Sequence, residues 1–423
     1  MLNMTKQRIA LLALLATTLN AAAQLKPRPD AFPAEVETIA TKAITMATTV
    51  EEMSSWDRYP TYDVYLEMMQ RWASNHPDLC RLDTIGTSVQ GRLILALDIM
   101  GDRDCDIARP EFFYTSTIHG DEVTGYVMML RLIDTLLTSY GQNGRLTDLV
   151  NETHIFINPL ANPDGTYRRG NHTVQGSIRY NANYVDLNRT FPDPFSGTSA
   201  KALQPENQAM VDYASSHNFR MSANLHGGAE VLNYPWDSFT STTRPHPEAE
   251  WWKTVCQRFV DTCRVENSSY MTDVEPSGFI AGGDWYVIPG GRQDYMNYYH
   301  NCLELTLEVS TTKTLSAEQL PTYWHYLHEA LINYIGEVHT APNLLAIDDI
   351  TSIQARIYPN PATSRTIVCD LPTGATARLY DMQGRHVASY LIDSEPLVLD
   401  LQGWPSGLYL LRADNVIAKI IKR

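Results

Sequence analysis

Residues 117–122 read Thr-Ile-His-Gly-Asp-Glu, between an apolar run that predicts a strand over 111–118 and a helical pattern over 123–140. Side chains at the end of such a strand face the crevice in which α/β sheets bind ligands. A histidine and a glutamate three residues apart in this turn can face one ion, so His119 and Glu122 are candidate metal ligands. Because a single His-x-x-Glu is common by chance, a third ligand must come from elsewhere in the chain.

His226 is the candidate for that third ligand. It ends a second strand-like run, Ser222-Ala223-Asn224-Leu225, and two glycines follow it, which lets the backbone pass close to a bound species. Two imidazoles and one carboxylate form the ligand set of a catalytic zinc ion, with one position left open for water. The chain has no His-Glu-x-x-His, which excludes the metalloprotease arrangement carried on one helix.

Two further patterns indicate hydrolytic chemistry. Glu308 stands alone among apolar neighbours at the end of a predicted strand, where a carboxylate can take a proton from water beside a metal. Asn188-Arg189 is a candidate clamp for an anion, because a guanidinium binds a carboxylate through two hydrogen bonds. By itself, Glu308 also fits a structural acid, and Asn188-Arg189 also fits an ordinary turn.

Around these motifs, strands and helices alternate from Trp56 to Val338. This order predicts an α/β domain with a mixed central sheet and helices on both faces. The predicted strands are 82–85, 93–100, 111–118, 154–158, 221–225 and 302–309, and the predicted helices are 62–74, 123–140, 207–216, 245–264 and 317–336.

After Val338 the pattern changes to short strands without helices. We predict a linker over 341–352 and a small all-β sandwich over 353–423, with a hairpin turn at residues 381–384. Its strands are predicted at 365–371, 375–381, 386–392, 397–401, 407–413 and 416–421.

The N-terminus has the pattern of a secretory signal peptide over residues 1–23. Lys6 and Arg8 precede an apolar run that is too short to span a bilayer, and alanines 21–23 suit a cleavage site. We interpret residues 24–55 as a leader or short pro-region and residues 56–340 as the catalytic domain. No later run reaches about 18 apolar residues, so no transmembrane segment is expected. Export would permit disulfides among the six cysteines, but their pairing cannot be read from the spacing.

The net charge of −15 argues against nucleic acid as a partner, because both molecules are negative.

The motifs in their order resemble the zinc carboxypeptidase family, within it the N/E/D type, over about 280 residues. The matching stretches are His119–Glu122, Asn162–Gly165, Asp186–Arg189, Asn224–Gly228, Asn233–Pro235, Gly290–Asp294 and Cys302–Glu308.

The resemblance implies a role for each matching position. His119, Glu122 and His226 would hold one zinc ion, and Glu308 would be the base that activates zinc-bound water and then protonates the leaving amine. The remaining implied roles are carbonyl polarisation by Arg179, binding of the substrate's terminal carboxylate by Asn188 and Arg189, closure over the substrate by Tyr286, and orientation of His119 by Asp186.

The same resemblance implies a substrate class, namely the C termini of peptides or proteins. Asp237 and Gln293 match positions that face the departing side chain, where an acid and an amide favour Arg or Lys. Three positions depart from the family pattern: Asp121 replaces an asparagine, Thr190 replaces an asparagine, and Arg292 is unusual beside a pocket for cations.

The C-terminal module resembles the type A sorting domain of type IX secretion, through Tyr358–Pro361, Tyr380–Gly384 and Gly407–Tyr409. This implies the type IX machinery as a partner, passage through the periplasm, and release or attachment at the cell surface. A permanent binding or folding module is the alternative for this tail. For the whole chain, the alternatives are a zinc amidase that acts on cell-wall peptides and a non-catalytic binding protein on the same fold.

Overall fold

The computed structural model describes residues 44–103, 108–195, 202–342, 355–381, 386–394, 396–413 and 416–423. The predicted signal peptide and most of the predicted linker and hairpin turn lie outside these residues. The chain divides into two compact units, of which the first ends at Pro342.

The first unit has ten strands and nine α-helices among its described residues. Its strands are β1 (Met46–Ala47), β2 (Tyr59–Pro60), β3 (Cys80–Thr87), β4 (Leu93–Ile99), β5 (Glu111–Ser116), β6 (His154–Asn158), β7 (Phe219–His226), β8 (Ala229–Tyr234), β9 (Phe279–Ala281) and β10 (Leu303–Ser310). Its helices are α1 (Tyr62–Asn75), α2 (Thr124–Ser139), α3 (Gly144–Glu152), α4 (Pro163–Thr166), α5 (Pro205–Ser216), α6 (Ala249–Glu266), α7 (Gly282–Trp285), α8 (Arg292–His300) and α9 (Leu320–Gly336).

Eight of these strands form one mixed sheet, in the order β3-β4-β6-β5-β7-β10-β8-β9. The four central strands β6, β5, β7 and β10 run parallel. Strand β4 pairs antiparallel with β3 and β6, β8 pairs antiparallel with β10, and β9 pairs parallel with β8. The carboxyl ends of the parallel strands therefore meet at one edge, where an α/β sheet binds ligands.

Helices cover both faces of this sheet, as the alternation along β5 requires. The Tyr114 hydroxyl donates to the carbonyl of Leu331 in α9 at 2.9 Å. The next side chain back, Phe113, points to the other face and packs on Tyr213 of α5 with ring centroids 5.6 Å apart. The mixed sheet with helices on both faces predicted from the sequence is confirmed.

Residues 44–55, which belong to the predicted leader, make ordered contacts with this unit. Strand β1 pairs parallel with β2 through Met46–Tyr59 and Ala47–Pro60. A 3₁₀ turn at Glu51–Ser55 follows, and Met53 within it is buried.

The second unit is all-β, as predicted, with seven strands among its described residues. They are β11 (Arg356–Tyr358), β12 (Arg365–Cys369), β13 (Thr376–Tyr380), β14 (His386–Leu391), β15 (Leu397–Asp400), β16 (Gly407–Ala413) and β17 (Val416–Lys422). A three-stranded sheet, β11-β12-β15, and a four-stranded sheet, β14-β13-β16-β17, contribute to one apolar core that includes Val368, Leu379 and Leu411.

Candidate active site

The loop with His119 is shaped by tight contacts that begin where β5 ends. Thr117 has a φ of 63°, in the left-handed region, so the chain turns sharply out of the strand. A Cβ atom on Gly120 would lie 2.4 Å from the backbone carbon of Gly165, and only glycine fits there. The side-chain amide of Asn162 donates to the carbonyl of Ile118 at 3.1 Å. The Asn-Pro-Asp-Gly motif at α4 thus holds the loop in place.

The loop brings the three predicted ligands together. The Oε2 atom of Glu122 lies 3.0 Å from His119 Nδ1 and 2.8 Å from His226 Nδ1, and the two Nδ1 atoms are 3.1 Å apart. All three side chains are buried. Among the described residues, they form a group whose ligand atoms, all within 4.8 Å of one another, could hold a metal ion. Zinc bonds of about 2.1 Å place tetrahedral ligand atoms roughly 3.4 Å apart, so the donor set and its spacing fit zinc.

Charged neighbours keep the carboxylate of Glu122 ionised. Burial opposes its ionisation, but the charges of His119 and Lys313 outweigh that effect and hold the pKa of Glu122 well below its usual value. Lys313 Nζ lies 3.3 Å from Glu122 Oε1 and 3.2 Å from Asp121 Oδ2. The unusual Asp121 is therefore paired with the same lysine that contacts Glu122.

Asp186 joins a predicted ligand to a predicted catalytic group. Its Oδ1 lies 3.2 Å from His119 Nε2, and its Oδ2 accepts a hydrogen bond of 2.9 Å from Arg179 Nε. Burial raises the pKa of Asp186, but His119 and Arg179 hold it well below its usual value. Arg179 Nη1 in turn lies 3.1 Å from His119 Nδ1, so its guanidinium borders the ligand cluster.

Asn188 and Arg189, the residues predicted to bind the substrate's terminal carboxylate, lie near Tyr286. Arg189 Nη2 donates to the Tyr286 hydroxyl at 3.0 Å. Asn188 is buried, and its Oδ1 accepts the backbone N–H of Arg292 at 2.9 Å. Glu308 reaches the same edge of the sheet, since it pairs in register with His226 on the adjacent parallel strand.

The two positions predicted to select the departing side chain are both buried, Asp237 at 0% and Gln293 at 1% exposure. A Cβ atom on Gly282 would lie 1.9 Å from Asp237 Oδ1, and one on Gly291 would lie 3.5 Å from Asp237 Oδ2. Neither amide atom of Gln293 has a hydrogen-bond partner within the described residues. An unpaired buried amide is costly and suits a site that is completed by a ligand.

Residues 65–330 match the family model described as zinc carboxypeptidase, which is more than half of the chain. The chain belongs to the zinc carboxypeptidase family. Residues 356–423 match a second model, described as a secretion system C-terminal sorting domain.

Relatives of this chain are about one third identical to it over the matched residues. It is 33% identical over 306 residues to carboxypeptidase D of Mus musculus, a match that covers 69% of this chain and 22% of that protein. It is also 33% identical over 329 residues to the carboxypeptidase N catalytic chain of Rattus norvegicus, covering 69% of this chain and 71% of that one. The chain thus spans about a fifth of the length of carboxypeptidase D.

The crystal structure of carboxypeptidase A from Helicoverpa armigera has the same fold. Its TM-score is 0.59 at 18% identity, over 70% of this chain and 77% of that one. The fold class predicted from the sequence agrees with this comparison.

The side chain of Arg292, which is unusual near a pocket for cations, is buried in the core of the first unit. Its Nη2 lies 3.0 Å from Glu304 Oε2, and both side chains are almost completely buried. Its Nη1 donates to Thr115 Oγ1. The positive charge is therefore neutralised by Glu304.

Sequence reasoning assigned no role to three polar residues at this edge. Lys313 contacts Glu122, Asp294 accepts hydrogen bonds from the loop of Asp237, and Asn233 lies beside Asp237 with both amide atoms unpaired among the described residues. Asn233 and Asp294 lie inside the family motifs Asn233–Pro235 and Gly290–Asp294, so the sequence did mark these two positions. Lys313 carried no signal, because its partner is 191 positions earlier in the chain.

The described cysteines are free thiols: Cys80, Cys256, Cys263, Cys302 and Cys369. Among the described residues, no helix has both the length and the apolar character needed to cross a bilayer.

Proposed function

We propose that this chain is a secreted zinc metallocarboxypeptidase that hydrolyses the C-terminal peptide bond of peptides or proteins and releases Arg or Lys. One observation supports it above all others. Three side chains that could hold a metal converge at the carboxyl edge of the sheet, and Arg189, paired with Tyr286, comes three residues after Asp186, which contacts His119. A metal site beside a carboxylate-binding group suits an exopeptidase.

His119, Glu122 and His226 hold the zinc ion in this proposal. Zinc, when bound, acts as a Lewis acid and makes water a stronger nucleophile near neutral pH. Asp186 fixes the ring of His119 through Nε2, which leaves Nδ1 beside Glu122 and His226 and free to bind the ion.

The chain's own groups supply the acid–base chemistry. Glu308 accepts a proton from the attacking water and delivers it to the leaving amine, a role that its burial at the strand end suits. Arg179 donates to the oxygen of the scissile carbonyl as negative charge develops there. Its contacts with Asp186 hold the guanidinium in place before the substrate arrives.

Asn188 and Arg189 bind the free α-carboxylate of the substrate, which limits the reaction to the last residue. The guanidinium of Arg189 offers paired N–H donors to the two oxygens. Tyr286, already in contact with Arg189, closes over the bound residue and excludes water.

Asp237 and Gln293 recognise the departing side chain. A buried carboxylate attracts a cation strongly once water is excluded, and the Gln293 amide offers an acceptor that an aliphatic side chain would leave unpaired. Both features favour Arg or Lys over Leu or Phe.

A panel of otherwise identical short peptides that differ in the last residue tests this proposal, assayed with and without a zinc chelator. We expect the highest kcat/KM for Arg and Lys, and loss of all activity with the chelator. Faster release of Phe or Leu would contradict the substrate class. Cleavage of blocked C termini at equal rates would instead favour an amidase, and no zinc-dependent cleavage would favour a binding protein.

Delivery is assigned to the C-terminal unit. The match to a secretion sorting domain supports export to the cell surface or the medium, with the type IX machinery as partner and the periplasm as the route.

A further inference from the structure

Asp294 makes two hydrogen bonds to the backbone on either side of a selectivity residue. Its Oδ1 accepts the N–H of Asp237 at 2.8 Å, and its Oδ2 accepts the N–H of Ser238 at 2.9 Å. The Asp294 side chain is 1% exposed, at the first turn of α8. Hydrogen bonds in a low-dielectric interior are stronger than in water, so these two bonds to one buried side chain fix the backbone there.

The carboxylate of Asp237 is closely packed by its neighbours. Gly282 packs so closely on Asp237 Oδ1 that no side chain beyond hydrogen fits there, and a Cβ atom on Gly291 would be in van der Waals contact with Asp237 Oδ2. The carbonyl of Asp237 is also fixed, since it accepts the N–H of Ile288 at 3.0 Å. A small shift of the Asp237 backbone would therefore push its carboxylate against Gly282 or out of the pocket.

The two acids are also close enough to repel each other. Burial, and after it the charge of Asp237, raises the pKa of Asp294 to about 7. Two buried carboxyl groups held this way favour a ligand that brings positive charge, because the cation offsets both burial and repulsion.

We propose that Asp294 is a positioning residue for substrate selectivity: it holds Asp237 where a cationic terminal side chain can bind, without touching the substrate itself. The inference rests on the proposed function, since it assumes that Asp237 selects the departing residue. It adds that selectivity depends on a second acid behind the pocket.

The test is Asp294→Asn in the full-length, zinc-loaded enzyme. An amide of the same size can accept only one of the two N–H groups, and its NH₂ opposes the other donor. We expect kcat/KM for a peptide ending in Arg to fall about tenfold or more through KM, with kcat within about twofold of wild type. For the neutral residue that the wild type releases fastest, kcat/KM should change less than about twofold.

Asp284→Asn is the matched control. Asp284 accepts the backbone N–H of Ser241 at 2.8 Å, a bond of the same type to the same loop, four positions after Asp237. This variant should keep the wild-type ratio of Arg to neutral cleavage.

Equal losses on both peptides, or an unchanged ratio in Asp294→Asn, would overturn the positioning role while leaving the proposed specificity intact. A wild-type enzyme without preference for Arg or Lys would overturn the proposed specificity and this inference with it. If Asp294→Asn does not fold, Asp294→Ser keeps one oxygen acceptor in a smaller side chain and receives the same assay. Failure of both variants to fold would assign Asp294 to stability and overturn the proposal.

Discussion

At the scale of single residues, charged side chains of the site fix one another's positions through direct contacts. Asp186 contacts both His119 and Arg179, so one carboxylate holds the proposed metal ligand and the proposed catalytic guanidinium. Arg179 also approaches Glu122, with Nη1 3.6 Å from Oε1. Glu122 and Asp186 thus each contact the Arg179 guanidinium, which offsets part of the cost of burying their charges.

The first prediction concerns Asp186→Asn. The variant loses the charge behind His119, so we expect zinc affinity to fall by about 10- to 100-fold. Titration of the metal-free protein with zinc against a competing chelator measures the change.

Asp98→Asn is its control, because Asp98 contacts His154 and Arg103 in a similar arrangement at the opposite edge of the sheet. This variant should leave zinc affinity unchanged. Equal weakening in both variants would mean that Asp186 acts through general stability and not through His119.

At the scale of elements, the active-site loop depends on close backbone packing. Gly120 has no space for a Cβ atom, whereas a Cβ atom on Gly144 at the start of α3 would meet nothing within 4 Å. We expect Gly120→Ala to lower the free energy of unfolding by about 1–3 kcal/mol or more, and Gly144→Ala to stay within about 1 kcal/mol of wild type. Chemical denaturation of both variants measures the difference, and equal stabilities would contradict the packing argument.

A buried histidine gives the fold a defined acid sensitivity. His246 is 7% exposed, and burial lowers its pKa to about 3. Between pH 6.5 and 3 the unfolded chain therefore binds the proton and the folded chain does not. Stability from this group is complete above about pH 6.5 and falls by roughly 1.4 kcal/mol per pH unit below it.

His246→Asn removes that proton site and keeps an acceptor for the backbone N–H of Glu248, which now lies 3.1 Å from Nδ1. We expect the variant to lose less stability than wild type between pH 7 and pH 4.5, measured by urea unfolding. Parallel losses in the two proteins would contradict the low pKa of His246.

The long elements were predictable from the sequence because their apolar periods are regular. The predicted helix 62–74 and strand 154–158 agree with α1 and β6 within one residue. Strand β8 was missed because all six of its residues are buried, so it shows no alternation of polar and apolar positions. Helix α8 was missed because Arg292, Gln293 and Asp294 are polar yet buried in its first turn.

For the site, the ordered motifs led to the metal-binding residues, and the structure brings His119, Glu122 and His226 together. The roles of the surrounding residues stay predictions. The contact of Lys313 with Glu122 and the bonds of Asp294 to Asp237 could not be predicted, because they join segments far apart in the chain.

At the scale of the whole molecule, two units with separate cores divide the proposed functions. The proposed catalytic residues all lie before Pro342, and the sorting-domain match lies after it. We expect a chain that ends at Pro342 to keep bound zinc and peptidase activity. In a host that has type IX secretion, this shortened chain should remain in the cells and not reach the medium. Cell fractions and medium assayed for activity measure this, with the full chain as control. Release of the shortened enzyme into the medium would contradict the role of the second unit.

The most direct test of the central claim is Glu308→Gln, measured for both zinc content and turnover of a peptide ending in Arg. The account predicts one zinc ion per chain, as in wild type, and a fall in kcat of roughly 10²- to 10⁴-fold. Glu318→Gln, at an exposed acid a short distance along the chain, should match wild type in both measurements. Turnover retained without Glu308, or zinc lost with it, would contradict the proposed mechanism.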